Sequence, residues 1–264
     1  MPQITFQNQP LFYSASGSGP ALVFVHGFGE DSRIWDALVS PFRRSHQVVC
    51  IDLPGAGQSP AITGLSVEGM AMAVKAVVDA MQLSQFVLIG HSMGGYVSLA
   101  YAEKWPESLL ALCLFHSQPY ADSEEKKAGR LKSMDFVRAN GTAPYVNQLV
   151  PALFAPAFTR EHPEVIQQLI TQASAYPAEG IINALDAMRG RPDRSEVLRN
   201  AKYPVLFLIG MEDGAIPADA SRQQTTLPPV ASIHYLEGVG HMGMVEATEE
   251  TQGILAGFLK EIEK

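Results

Sequence analysis

Ser92 sits in Gly90-His91-Ser92-Met93-Gly94, directly after the apolar run Phe86-Val-Leu-Ile and directly before a stretch of helical character. A strand that passes through Gly-x-Ser-x-Gly straight into a helix is a nucleophile elbow. The backbone must turn so sharply to lift the serine above the strand end that side chains at Gly90 and Gly94 would strike the neighbouring strand and helix. At ordinary glycine and serine frequencies a chain of this length would show about 0.1 chance matches. Ser92 is therefore the candidate nucleophile.

A serine hydroxyl is a weak nucleophile at neutral pH and needs a histidine base and a group to orient that base. Among seven histidines, His241 lies in Leu236-Glu-Gly-Val-Gly-His-Met-Gly, beyond the last expected strand and before the last helix. The glycines let this loop reach inward. His26, His46, His91, His162 and His234 read as strand-end, surface or elbow positions, and His116 as a candidate pocket lining. Asp213, just past the run Leu206-Phe-Leu-Ile-Gly, is the preferred orienting acid, with Asp52 and Glu212 as rivals; Asp52 reads as a loop cap in Asp-Leu-Pro-Gly-Ala-Gly-Gln-Ser. Chain order is then Ser92, Asp213, His241, the order of this elbow type. An oxyanion needs two backbone donors. Met93, after the nucleophile, supplies one, and Phe28 in His26-Gly27-Phe28-Gly29 the other.

These groups require strands to carry them to one edge. Apolar runs of strand length recur at Ala21 to Val25, Gln47 to Ile51, Phe86 to Ile89, Leu109 to Phe115, Pro204 to Ile209 and Ser232 to Leu236. Runs without alternation are buried on both faces, as in a parallel sheet covered by helices. Ile4 to Phe6 and Leu11 to Tyr13 predict an N-terminal antiparallel hairpin. Helices are expected over Ile34 to Pro41, Val67 to Met81 with Ser66 as N-cap, Gly94 to Trp105, and Ala247 to Lys264. The expectation is an α/β fold, a three-layer α/β/α sandwich with a mostly parallel sheet.

Between the strand ending at Phe115 and the one opening at Pro204, about 80 residues carry helical patterns and no strand, too long for a loop. Residues 118–200 are read as a helical lid inserted into a core domain of residues 1–117 and 201–264. The insertion holds 10 basic and 10 acidic residues, leaving the chain's net charge of −8 on the core. Tyr145, Phe154, Phe158 and Tyr176 could line an apolar substrate pocket or simply pack, and Arg189 or Arg191 could pair with a substrate carboxylate or lie in solvent.

The chain has 264 residues, 47% hydrophobic and 17% charged, enough to bury a full core and unlike a disordered or fibrous protein. Its acidity disfavours nucleic acid and anionic membrane surfaces. Two cysteines, each inside an apolar run, exclude a disulfide framework, and no metal-ligand spacing occurs. No basic residue precedes Arg33, so a cytoplasmic location without a membrane span is expected. Oligomeric state is not legible.

His-Gly-Phe-Gly, Asp-Leu-Pro-Gly-Ala-Gly-Gln-Ser, Gly-His-Ser-Met-Gly-Gly, Gly-Met-Glu-Asp and Gly-Val-Gly-His together resemble the α/β-hydrolase superfamily, in its order and over nearly the whole chain. The resemblance implies eight strands, an acyl-enzyme mechanism and no cofactor. Ala187-Met-Arg-Gly-Arg-Pro-Asp-Arg, ahead of the penultimate strand, is similar to the carboxylesterase and enol-lactonase branch. Ser92 argues against epoxide hydrolases and haloalkane dehalogenases, which carry aspartate at the elbow. The expected activity is hydrolysis of a small, largely apolar ester or thioester. Lactone or carbon–carbon bond hydrolysis, or perhydrolysis, by the same triad is the alternative. A ligand receptor with residual hydrolase activity is the reading from another class.

Overall fold

The computed structural model describes residues 1–263. Eight strands form one sheet: β1 (Gln3–Phe6), β2 (Gln9–Ser16), β3 (Ala21–Val25), β4 (Gln47–Ile51), β5 (Phe86–His91), β6 (Leu109–Phe115), β7 (Val205–Gly210) and β8 (Ala231–Leu236). Their order is β1-β2-β4-β3-β5-β6-β7-β8; β1, β2 and β4 pair antiparallel and every other pair is parallel. β3, β5 and β7 are buried at every position, as continuous apolar runs between two helical layers must be.

The expected strands are all present: β3, β4 and β6 have the expected ends, and the ends of the others differ by at most three residues. The helix expected at Ile34 to Pro41 is instead a 3₁₀ turn (Ser32–Trp35) running into one turn of α-helix (Asp36–Val39). Helix Val67–Ala80 is capped as expected, with Ser66 Oγ accepting the Gly69 N–H at 3.2 Å. The last helix spans Thr248–Ile262, and the part of its expected range at Lys264 lies outside the described residues. No helix among the described residues is long and apolar enough to cross a membrane.

Between β6 and β7 the chain forms helices from Glu124–Asn140 to Ser195–Arg199. Arg194 anchors the end of this segment: it is buried and ion-pairs with Glu68 and Glu103 on two helices flanking the sheet, and its N–H donates to the Pro119 carbonyl at 2.8 Å. Cys50 and Cys113 are unbonded and buried in β4 and β6, and burial pushes both thiols up, away from reactivity.

Candidate active site

Ser92 follows β5 and precedes the helix Met93–Lys104, with φ 50° and ψ −114°. A residue bearing a side chain enters this region only under strain, typically about 1–3 kcal/mol. Glycines make the turn possible. A Cβ on Gly90 would run into the Gly94 carbonyl and Ser98 Oγ, and one on Gly94 into the Val25 and His26 carbonyls at the end of β3, all well inside van der Waals contact. The strained residue is held from both sides: its N–H donates to the Phe115 carbonyl at 3.0 Å, and its carbonyl accepts from Ser117 Oγ at 2.7 Å.

Asp213 and His241 meet at the ends of β7 and β8. His241 Nδ1 donates to Asp213 Oδ2 at 2.7 Å, and both residues are buried. A carboxylate only accepts, so a ring proton sits on Nδ1 and Nε2 is the ring nitrogen left on the far side from Asp213. Asp213 Oδ1 accepts the Ala215 and Ile216 N–H groups, each at 2.8 Å. Burial by itself would push the Asp213 carboxyl up; the neighbouring His241 and His116 and these backbone donors hold it below its ordinary value. Of the rival acids, Glu212 is exposed. Asp52 is a loop cap, its two oxygens taking the Ser32 and Gln58 N–H groups at 2.9 Å each.

A cavity of about 310 Å³ is lined by Ser92 and His241 together with Phe28 and Tyr145. No hydrogen bond joins Ser92 to His241 among the described residues, although both line this cavity. The N–H groups of Phe28 and Met93 have no acceptor among the described residues, and both residues line a smaller adjoining hollow. The other expected lining residues lie elsewhere. Phe154 is buried and stacked on Phe158, ring centroids 5.4 Å apart. The Tyr176 hydroxyl donates to Asp31 Oδ2 at 2.6 Å and the ring borders neighbouring hollows. Aromatic types at such spacing satisfied the core and left the cavity wall to Tyr96, Leu149, Leu185 and Met188. Arg189 pairs with Asp186 and Arg191 with Asp122, so neither cation is free.

His116 is not a cavity residue. It is buried, Nδ1 accepts the Gly210 N–H at 3.0 Å, and burial pushes its pKa down to about 3. His46 is also buried, against Glu263 at 2.8 Å, rather than on the surface. His91 has a role that spacing did not reveal. Its Nδ1 donates to Glu30 Oε2 at 3.0 Å and its Nε2 to the His241 carbonyl at 2.9 Å. Two acceptors require two donors, so the ring is an imidazolium. Glu30 also accepts the Gly27 N–H at 2.8 Å. One buried ion pair thus ties the Phe28 turn, the elbow and the His241 loop together. Burial opposes both charges, but their mutual attraction and hydrogen bond prevail, holding Glu30 below the carboxylate range and His91 above the imidazole range.

Glu246 makes a second tie. Its carboxylate accepts N–H groups from Gly240 at 3.1 Å, Met242 at 2.9 Å and, across in the helical segment, Ala155 at 2.7 Å. No signal in the sequence singled out Glu30 or Glu246, because each serves backbone groups brought together only by folding.

Comparison with known proteins bears on the fold and the family. The chain is 31% identical over 252 residues to the dihydrolipoyllysine-residue acetyltransferase component of an acetoin cleaving system from Pseudomonas putida; the match covers 92% of the chain but spans only 64% of that relative. It is 26% identical to 3-oxoadipate enol-lactonase 1 of Acinetobacter baylyi, covering 93% of the chain and 91% of the relative. The structure of a thermophilic esterase from Thermogutta terrifontis superposes with a TM-score of 0.95 at 28% identity, covering 100% of both chains. The family model described as alpha/beta hydrolase fold matches residues 20–248. With eight strands in the order above, a serine on a strained turn after β5 and a matched family model over most of its length, the chain belongs to the alpha/beta hydrolase family.

Proposed function

We propose that the protein is a serine hydrolase of carboxylic esters of small substrates, acting through an acyl-enzyme. The observation that carries this reading is the buried Asp213–His241 pair at 2.7 Å, opening on the same cavity as Ser92. Ser92 Oγ attacks the ester carbonyl carbon as its proton passes to His241 Nε2. Asp213 stabilises the imidazolium that results. The carbonyl oxygen takes up negative charge, and the free N–H groups of Phe28 and Met93 are the donors for it. Collapse of the tetrahedral intermediate breaks the ester bond, and the leaving alcohol takes the proton from His241. Water, deprotonated by His241, then attacks the acyl-Ser92 carbonyl, and the acid leaves as Ser92 regains its proton.

The helices between β6 and β7 act as the lid, since more than half of the residues lining the cavity come from them. The esterase and enol-lactonase relatives support ester or lactone substrates. Ser92→Ala should lower turnover of 4-nitrophenyl butyrate by about 10⁴-fold or more, because the triad acts as a unit. A fluorophosphonate should label Ser92 and no other serine. Turnover unchanged in the variant rejects the reading.

A further inference from the structure

The charge on the cavity wall is unbalanced. Glu30 lines the cavity but is neutralised by His91, and His241 is matched by Asp213. Lys126 and Arg130, from helix Glu124–Asn140, line it as well. Arg130 and Arg191 share one carboxylate, that of buried Asp122. Arg191 also lies over the ring of Tyr96, 3.9 Å from its centroid, and Tyr96 itself lines the cavity. Lys126 pairs with no carboxylate among the described residues; its ammonium donates to the Ala215 carbonyl at 3.4 Å, in the loop that follows Asp213. Partial desolvation and the two guanidiniums hold Lys126 below the ordinary lysine range. Two guanidiniums and an ammonium thus face a single carboxylate. This excess of positive charge stands on the cavity of a chain whose net charge is −8.

We infer that the cavity takes an anionic substrate, an ester of a short chain that carries a second carboxylate, and that Lys126 is the residue that selects it. The inference rests on the serine hydrolase reading and names the substrate class of that site. Arg130 and Arg191 are committed to Asp122 and set the positive potential, whereas the Lys126 ammonium is free to close on the anion. An ammonium on a flexible stem reaches a carboxylate as a point charge, without the fixed geometry of a guanidinium fork. The wall also steers anions toward the mouth, an effect that salt screens over about 10 Å at 0.1 M.

The test uses two matched pairs of esters. In the first the charge is in the acyl part: 4-nitrophenyl hydrogen adipate against uncharged 4-nitrophenyl 6-methylheptanoate. In the second it is in the leaving group: 4-acetoxybenzoate against its methyl ester. For at least one pair, kcat/KM should favour the anionic member by about tenfold or more at low salt, a preference of the size one favourable charge contact gives. Lys126→Met should cut that ratio by about tenfold and Lys126→Glu should invert it, and 0.5 M salt should lower the wild-type ratio. Lys126 is exposed, so both variants are expected to fold. Arg189→Met, on a half-buried pair that does not line the cavity, should leave the ratio unchanged. Ratios near one for both pairs, or a preference that Lys126→Glu does not move, overturn the inference. Calorimetric binding of adipate to Ser92→Ala separates it from the parent reading. Adipate binding that is lost in Ser92→Ala/Lys126→Glu upholds the anion site even if no ester turns over, and absence of binding to Ser92→Ala overturns it.

Discussion

Ser92, Asp213 and His241 could be named from residue type, flanking glycines and chain order. Glu30 and His91 could not, because 61 residues separate them and neither sits in a pattern that demands the other. Their pairing has a measurable consequence. Removing one partner of a buried ion pair leaves the other charge uncompensated, so Glu30→Gln should cost about 3 kcal/mol of unfolding free energy at pH 6. The His91 pKa is raised above 6.5, so its contribution is complete below that value and is lost as pH rises through the folded pKa. Glu30 is lowered from 4.5, and its contribution is lost only as pH falls from there through its folded value. Urea unfolding of wild type and variant should therefore converge as the solution is made alkaline. A gap that stays constant from pH 6 to 10 would show that His91 carries no charge in the folded chain.

At the scale of elements, the elbow depends on how closely β3, β5 and the helix Met93–Lys104 approach. Gly94 lies against the backbone carbonyls of Val25 and His26, which cannot rotate aside as a side chain would. Gly94→Ala must therefore push the helix off the sheet. The expected cost is about 1–3 kcal/mol or more, as for other overpacked sites, with a lower thermal midpoint and a loss of the proposed ester hydrolysis, since Ser92 moves with the helix. Gly253→Ala, whose Cβ would meet nothing within 4 Å in the last helix, is the control and should keep both. Helix Val67–Ala80 and the strands were legible because capping and burial on both faces are local and periodic signals. The stretch Ser32–Val39 was not, because Asp31 caps a 3₁₀ turn, accepting the Arg33 N–H, and an α-helix of one turn has too short a period to recognise.

For the whole molecule, stability in acid should reflect His116. Its pKa is pushed down to about 3 in the folded chain, against 6.5 as its ordinary value, so between these values the unfolded chain binds more protons and stability falls as pH falls. His116→Asn should remove up to about 1.4 kcal/mol per pH unit from that slope, read by urea unfolding between pH 6 and 4.5. An unaltered slope would place the acid sensitivity in the carboxylates instead. By itself, the sequence determined the sheet and singled out the residues proposed as nucleophile, acid and base, because continuous apolar runs, glycines at a forbidden turn and loop residues after strand ends are constraints that act over a few neighbours. Only the tertiary structure decided which charges stand alone. Arg191 is claimed by Asp122, His91 by Glu30 and Tyr176 by Asp31, whereas Lys126 is left at the cavity mouth. Whether a charged group is spent inside the protein or remains for a ligand depends on partners brought within about 3 Å from distant parts of the chain, and no local pattern records that.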